Sequence, residues 1–182
     1  MIKVLVPLAP GCEELEAVTI TDLLVRAGMQ VITVGLDNAA VTASRGMRLL
    51  PDFNIDQVMD QVFDLIVLPG GLPGADYLRD DARVQSLLKK HAASGKYIAA
   101  ICAAPKALAQ AGLLDGKVVT SYPGVLAGLK LKNTIVKDTA LEIDGKIITS
   151  RGPGTAMDFA LTLIELLAGK AKRDEVNQQL AR

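Results

Sequence analysis

Histidine, cysteine, net charge and long apolar runs are all scarce in this sequence, and each scarcity removes a class of function. Twenty Lys and Arg balance twenty Asp and Glu in a chain of 182 residues, so the formal charge is zero and no basic excess is available to grip a phosphate backbone. Nucleic acid is not an expected partner. No stretch approaches the roughly 18 apolar residues that cross a bilayer, and the chain begins on the strand-like Ile2-Lys3-Val4-Leu5-Val6 instead of a signal peptide. The expectation is a cytoplasmic protein with no membrane partner. Two cysteines, Cys12 and Cys102, are too few for a disulfide framework, and with one histidine they cannot complete a structural zinc site. Reduced thiols and no metal are therefore expected.

Apolar residues, by contrast, make up half of the chain, which is long enough to bury roughly 70% of its unfolded surface without staples. No repeat, low-complexity segment or linker interrupts it, so residues 1–182 are expected to form one domain. A first apolar strand, Ile2 to Leu8, stops at Pro10-Gly11 and leads into a helix from about Glu13 to Ala27, ended by Gly28. A strand from Gln30 to Leu36 follows, then a small hairpin about Ser44-Arg45-Gly46 and at most a short helix within Asn54 to Gln61. Phe63 to Leu68 is a third buried strand, and Asp81 to Ser94 a helix with Val84, Leu87 and Leu88 inward. Beyond a fourth strand at Tyr97, a helix from Lys106 to Ala111 is capped by Gly112, and Lys117 to Ser121 is a strand that stops at Tyr122-Pro123. A hairpin of Ala140 to Ile143 and Lys146 to Ser150 turns on Asp144-Gly145. A last amphipathic helix runs from about Ala156 to Leu167, and the polar tail from Lys170 to Arg182 adds a helical turn or two. Continuous apolar strands alternating with helices predict a doubly wound α/β fold, a mostly parallel sheet with helices on both faces.

The stretch Tyr97-Ile98-Ala99-Ala100-Ile101-Cys102-Ala103-Ala104-Pro105 carries the chemistry. It reads as a buried strand that delivers a thiol into a sharp turn, with Pro105 opening the next helix. N–H groups at a helix start favour the thiolate, whereas a cysteine that only fills a gap in a sheet has no such role. In the first helix the apolar stripe Ile20, Leu23, Leu24 and Ala27, carried back by the 3.6-residue period, lands on Glu16. A carboxyl turned toward the core loses solvation, so Glu16 is expected to keep its proton and donate a hydrogen bond to a nearby thiolate. Glu13 and Glu14 are explained by the positive helix end alone. Gly70-Gly71 lets the backbone approach a ligand closely, and the Gly71 N–H is a candidate oxyanion donor. Ligands gather beyond the carboxyl ends of parallel strands, where the loops at 9–16, 69–71, 102–105, 122–123 and 151–155 converge. His91 belongs at the other end of the Cys102 strand, roughly 20 Å away, and is read as a solvated helix residue. Only an imidazole lent by another subunit would then serve the thiol, so protease or glutaminase chemistry within one chain is not expected.

In this order, Gly11-Cys12-Glu13-Glu14-Leu15-Glu16, Leu68-Pro69-Gly70-Gly71, Ala99-Ala100-Ile101-Cys102-Ala103-Ala104-Pro105 and Thr149-Ser150-Arg151-Gly152-Pro153-Gly154-Thr155 resemble the ThiJ/PfpI superfamily, specifically the branch of the Parkinsonism-associated protein deglycase. The resemblance implies a flavodoxin-like fold, a homodimer, and neither metal nor organic cofactor. It implies Cys102 as nucleophile and redox-sensitive residue, Glu16 as its protonated partner, and Gly71 and Ala103 as oxyanion N–H donors. Gly70, Tyr122 and Arg45 fall about the pocket, with Arg45 able to hold an anionic group, and Arg26 falls near a dimer contact. The implied activities are glutathione-independent conversion of methylglyoxal to lactate and repair of glycated thiols and amines. The alternative is a non-catalytic redox sensor or chaperone of the oxidative stress response. Members of that branch often carry histidine where this chain has Tyr122, and the protease-like branch has one where this chain has Ala103. Peptidase activity is therefore not expected. Cys12 would resolve a sulfenic acid on Cys102 only if their Cα atoms lie within roughly 7 Å.

Overall fold

Side chains of the first strand, β1 (Lys3–Leu8), enter two separate cores, Val4, Val6 and Leu8 on one face and Leu5 on the other. A strand apolar on both faces needs cover on both. The computed structural model describes residues 1–181. After β1 come α1 (Glu14–Arg26), β2 (Gln30–Gly35), the antiparallel pair β3 (Val41–Thr42) and β4 (Arg48–Leu49), β5 (Phe53–Asn54), a 3₁₀ turn at Ile55–Gln57, and β6 (Leu65–Leu68). The second half adds α2 (Gly74–Asp80), α3 (Ala82–Ala93), β7 (Tyr97–Ile101), α4 (Pro105–Gln110), β8 (Val118–Val119) and β9 (Ile135–Val136). It ends with β10 (Leu141–Asp144), β11 (Ile147–Ser150), α5 (Ala156–Ala168) and α6 (Lys170–Gln179).

The main sheet has the order β10-β11-β7-β6-β1-β2-β5 and is parallel except where β10 pairs with β11. Helices α1, α5 and α6 close over Val4, Val6, Val67 and Ile101, while α2, α3 and α4 close over Leu5, Ile66, Leu68 and Ile98. This is the doubly wound arrangement that the alternation predicts, in the flavodoxin-like form that the resemblance implies. Because β1 lies between β2 and β6, the chain reverses its direction of winding there, and the loops after β1 and β6 border a crevice. Cys102 follows β7, the next strand along. No helix among the described residues is long and apolar enough to cross a membrane.

Several elements differ from the sequence reading. Helix α2 was not expected; buried Ala75 and Leu78 hold it to the sheet. The segment from Lys117 to Ser121 contributes only β8, which pairs with β9 outside the main sheet. The second hairpin turns on Gly145-Lys146, one residue later than expected, since Asp144 pairs with Ile147. Its carboxylate takes the Lys117 ammonium at 3.0 Å and the Val118 N–H at 2.9 Å, which ties that hairpin to β8. The segment from Asn54 to Gln61 keeps one 3₁₀ turn, and the tail forms the ten-residue α6, anchored by buried Val176; Arg182 lies outside the described residues.

Candidate active site

Cys102 occupies the left-handed region at φ 63°, where a side chain normally clashes with its own backbone at a cost of about 1–3 kcal/mol. Both of its peptide neighbours are held. Its N–H donates to the Ser150 carbonyl at the end of β11 (2.9 Å), and its carbonyl accepts the Tyr122 N–H (2.8 Å). The turn thus lifts the sulfur off the end of the sheet. Cys102 is only 8% exposed, and the polar groups that act on its thiol are the N–H groups of Gly71 and Ala103 and the Glu16 carboxyl.

Gly70 and Gly71 are dictated by closeness. A methyl group on Gly70 would stand 2.7 Å from the Cys102 Cβ, and one on Gly71, at φ +87°, would stand 2.3 Å from the Glu13 nitrogen. No other residue lets the loop after β6 pass between the elbow and the loop after β1. The Gly70 N–H donates to Glu16 Oε2 at 2.7 Å and the Glu13 N–H to the Gly70 carbonyl at 2.9 Å.

Glu16 is fully buried, as its place on the α1 stripe predicts. Its Oε1 has no hydrogen bond, and the carboxyl's other neighbour is the Cys102 thiol. Burial pushes this carboxyl up to about 7, against the opposing pull of the Gly70 N–H. The thiol departs from the sequence expectation: burial and then the Glu16 carboxylate push it up to about 12, while the Gly71 and Ala103 N–H groups pull it down. Helix α4 has six residues and starts three positions after the cysteine, so its dipole contributes less than the two nearby N–H groups. Two anions this close repel, so Glu16 and Cys102 behave as one coupled acid. A thiolate is favoured when the carboxyl holds the proton.

A cavity of about 320 Å³ opens above the sulfur, lined by Glu13, Ser44, Arg45, Gly71, Leu72, Cys102, Ala103, Tyr122, Val125 and Pro153. The expected Arg45 and Tyr122 are both present, Arg45 exposed at the rim and Tyr122 half exposed beside Gly152. Ser44, which the resemblance sets beside Arg45 near the pocket, also lines the cavity, whereas Glu13 was not singled out by sequence reasoning as a cavity wall. The Ser44 hydroxyl lies 2.8 Å from Glu13 Oε2 and 3.0 Å from Glu14 Oε2, and Glu14 also accepts the N–H of Arg45 (2.9 Å). Burial raises Glu14, but the N–H groups around it and the Ser44 hydroxyl outweigh burial and hold it below the ordinary carboxylate range. Glu14 therefore fastens the β3–β4 hairpin over the thiol, a role beyond its place at a helix end. Arg26 pairs with Asp22 on the surface of α1 and does not reach the cavity.

His91 lies at the amino end of β7, with Nε2 3.0 Å from the Tyr97 carbonyl, so it is remote from the thiol as predicted. It is not solvated, however. At 7% exposure it lies on the buried face of α3 against the start of β7, and burial lowers its pKa. Both cysteines are free thiols, and Cys12, fully buried, is pushed up to about 11 by burial and then by Glu14. Among the described residues no three His, Cys, Asp or Glu side chains gather to hold a metal ion.

The model of the DJ-1/PfpI family matches residues 2–166. Protein dj-1beta of Drosophila melanogaster is 46% identical over 177 residues, 97% of this chain and 95% of that protein. Its crystal structure has a TM-score of 0.94 to this one at 45% identity, covering 99% of this chain and 97% of that chain. An oxidized DJ-1 from Toxoplasma gondii also reaches 0.94, at 40% identity over 100% of this chain and 98% of that one. The glutathione-independent glyoxalase DJR-1.2 of Caenorhabditis elegans is 36% identical over 168 residues, 92% of this chain and 89% of that protein. With the same fold along almost its whole length and a family match that includes every residue of the thiol site, this chain belongs to the DJ-1/PfpI family.

Proposed function

We propose that the chain is a cysteine-dependent enzyme that acts on reactive carbonyls without a cofactor, as a glutathione-independent glyoxalase converting methylglyoxal to lactate, a deglycase of glycated thiols and amines, or both. The observation that carries this reading is the contact of Cys102, raised on its elbow, with a buried carboxyl and two N–H groups at the floor of an open cavity. A relative named as a glutathione-independent glyoxalase supports it.

With the proton on Glu16, the sulfur lone pair attacks the aldehyde carbon. The carbonyl electron pair moves to oxygen, held by the Gly71 and Ala103 N–H groups, and Glu16 delivers its proton there to give a hemithioacetal. The Glu16 carboxylate then takes the proton from the former aldehyde carbon, giving an enediolate, and returns it to the neighbouring carbon while the hydroxyl proton passes to the neighbouring oxygen, leaving an S-lactoyl thioester. Water cleaves the thioester to lactate and restores the thiol. A deglycase would share the first adduct and differ in the later steps. Cys102→Ala and Glu16→Gln should each abolish lactate formation; unchanged turnover in either variant rejects the assigned roles.

A second reading, a redox sensor, is favoured by the same donors. Two sulfinic oxygens on Cys102 would meet the Gly71 and Ala103 N–H groups and a protonated Glu16. The exposed Leu15, Val18 and Val25 on α1 support a homodimer, which sedimentation would test.

A further inference from the structure

The two N–H groups that face the Cys102 sulfur come from different loops. Gly71 lies three residues beyond β6 and Ala103 two beyond β7, so strand pairing, which ends at Leu68 and Ala100, does not by itself set their spacing. Each loop runs straight into a helix, α2 or α4, and these helices pack together. The Ala75 N–H donates to the Gly71 carbonyl at 2.9 Å, and the Lys106 N–H to the Ala103 carbonyl at 3.4 Å. The side chain of that same Lys106 joins the two helices through an ion pair to Asp76, the residue after Ala75, with Nζ 2.8 Å from Oδ1.

This lysine sits in an unusual place. A cation in the first turn of a helix opposes the helix dipole, and the Lys106 side chain is only 13% exposed. Asp76 compensates for it and is itself fixed by Arg79 Nη1 at 3.0 Å. We propose that Lys106, through Asp76, is a positioning residue that holds the Gly71 and Ala103 N–H groups at one spacing around the Cys102 sulfur. The inference rests on the carbonyl-enzyme reading for its kinetic consequence, but its effect on the thiol stands without it.

The test compares Lys106→Met, Lys106→Arg and Asp76→Asn with the parent chain, reading methylglyoxal turnover and the pH profile of Cys102 alkylation by iodoacetamide. For Lys106→Met and Asp76→Asn, kcat should fall about ten- to a hundredfold with KM within about twofold, because only the transition state needs both donors aligned. The alkylation midpoint should rise by about one pH unit, a tenfold loss of thiolate at neutral pH. Lys106→Arg, which keeps the charge and the reach, should restore both. A lowered melting temperature with an unshifted profile would reduce the pair to a stability role and overturn the proposal, as would failure of the arginine variant to rescue. Asp76→Asn keeps the side-chain shape and decides the matter if Lys106→Met does not fold. Should the parent chain leave methylglyoxal untouched, the enzyme reading fails, while the alkylation profile still judges the strut.

Discussion

Gly70→Ala is the sharpest test of the site because its cost is steric alone, Gly70 having no positive φ to defend. The added methyl carbon would lie 2.7 Å from the Cys102 Cβ, 2.8 Å from the Ile101 oxygen and 2.9 Å from the Ala103 nitrogen. Carbon atoms rest at about 3.5–4.0 Å, so roughly 1 Å of separation must be found. None of the three atoms is the end of a flexible side chain. Two are backbone, and the third belongs to a residue already at φ 63°. Either the elbow or the Gly70-Gly71 loop must shift, and with it the 2.7 Å bond from the Gly70 N–H to Glu16. Misplacement by about 1 Å costs about a hundredfold in rate, and overpacking costs about 1–3 kcal/mol of stability. The expected result is a kcat on methylglyoxal near one hundredth of the parent value, with a melting temperature lowered by about 3–10 °C. Gly154→Ala, whose methyl would meet nothing within 4 Å, serves as the control and should change neither. A Gly70→Ala chain with parental kcat would show that the contact between this loop and the elbow does not control the chemistry.

Three further outcomes are expected from the burial of titrating groups. Glu16 is pushed up to about 7 from an ordinary 4.5, so its favourable contribution is complete below pH 4.5 and disappears as pH rises through 7. Denaturant titrations should therefore show the parent chain losing about 3 kcal/mol relative to Glu16→Gln between those limits; parallel curves would mean that the carboxyl is not desolvated. Burial lowers His91, with the Tyr97 carbonyl opposing, so the folded state gains from it above the ordinary 6.5 and loses that gain as pH falls below it. His91→Gln should flatten this acid limb of the stability curve, and an unchanged limb would contradict the burial. Graded peroxide followed by mass spectrometry should place two oxygens on Cys102 before any appear on Cys12, which is fully buried and pushed up to about 11; the opposite order would remove the redox reading.

Legibility in the sequence divides along the range of the forces involved. The sheet and its cover could be read because apolar runs and helix stops act within a few residues, and Glu16 could be placed because a 3.6-residue period propagates along one helix. Helix α2 was hidden, since its seven residues are too few to display a period and it is held by Ala75 and Leu78 against the sheet. The burial of His91, by contrast, was legible and missed: the inward stripe Val84, Leu87 and Leu88 carried one turn further along α3 lands on it, and the β7 carbonyl of Tyr97 then takes its ring nitrogen.

The thiol is the instructive case, because each of its opposing influences draws on a distant part of the chain. Sequence alone supplied a helix start, but α4 is short and begins too late to govern the sulfur. Stabilisation comes instead from the N–H groups of Gly71, thirty-one residues before Cys102, and of its neighbour Ala103; opposition comes from burial and from a carboxylate contributed by α1. Whether the sulfur is anionic is thus decided by which member of a pair, Glu16 or Cys102, keeps a single proton. That choice depends on how closely two loops are held to the elbow, which is why the glycines that permit the approach and the Lys106–Asp76 pair that joins the flanking helices bear on reactivity as directly as the thiol itself.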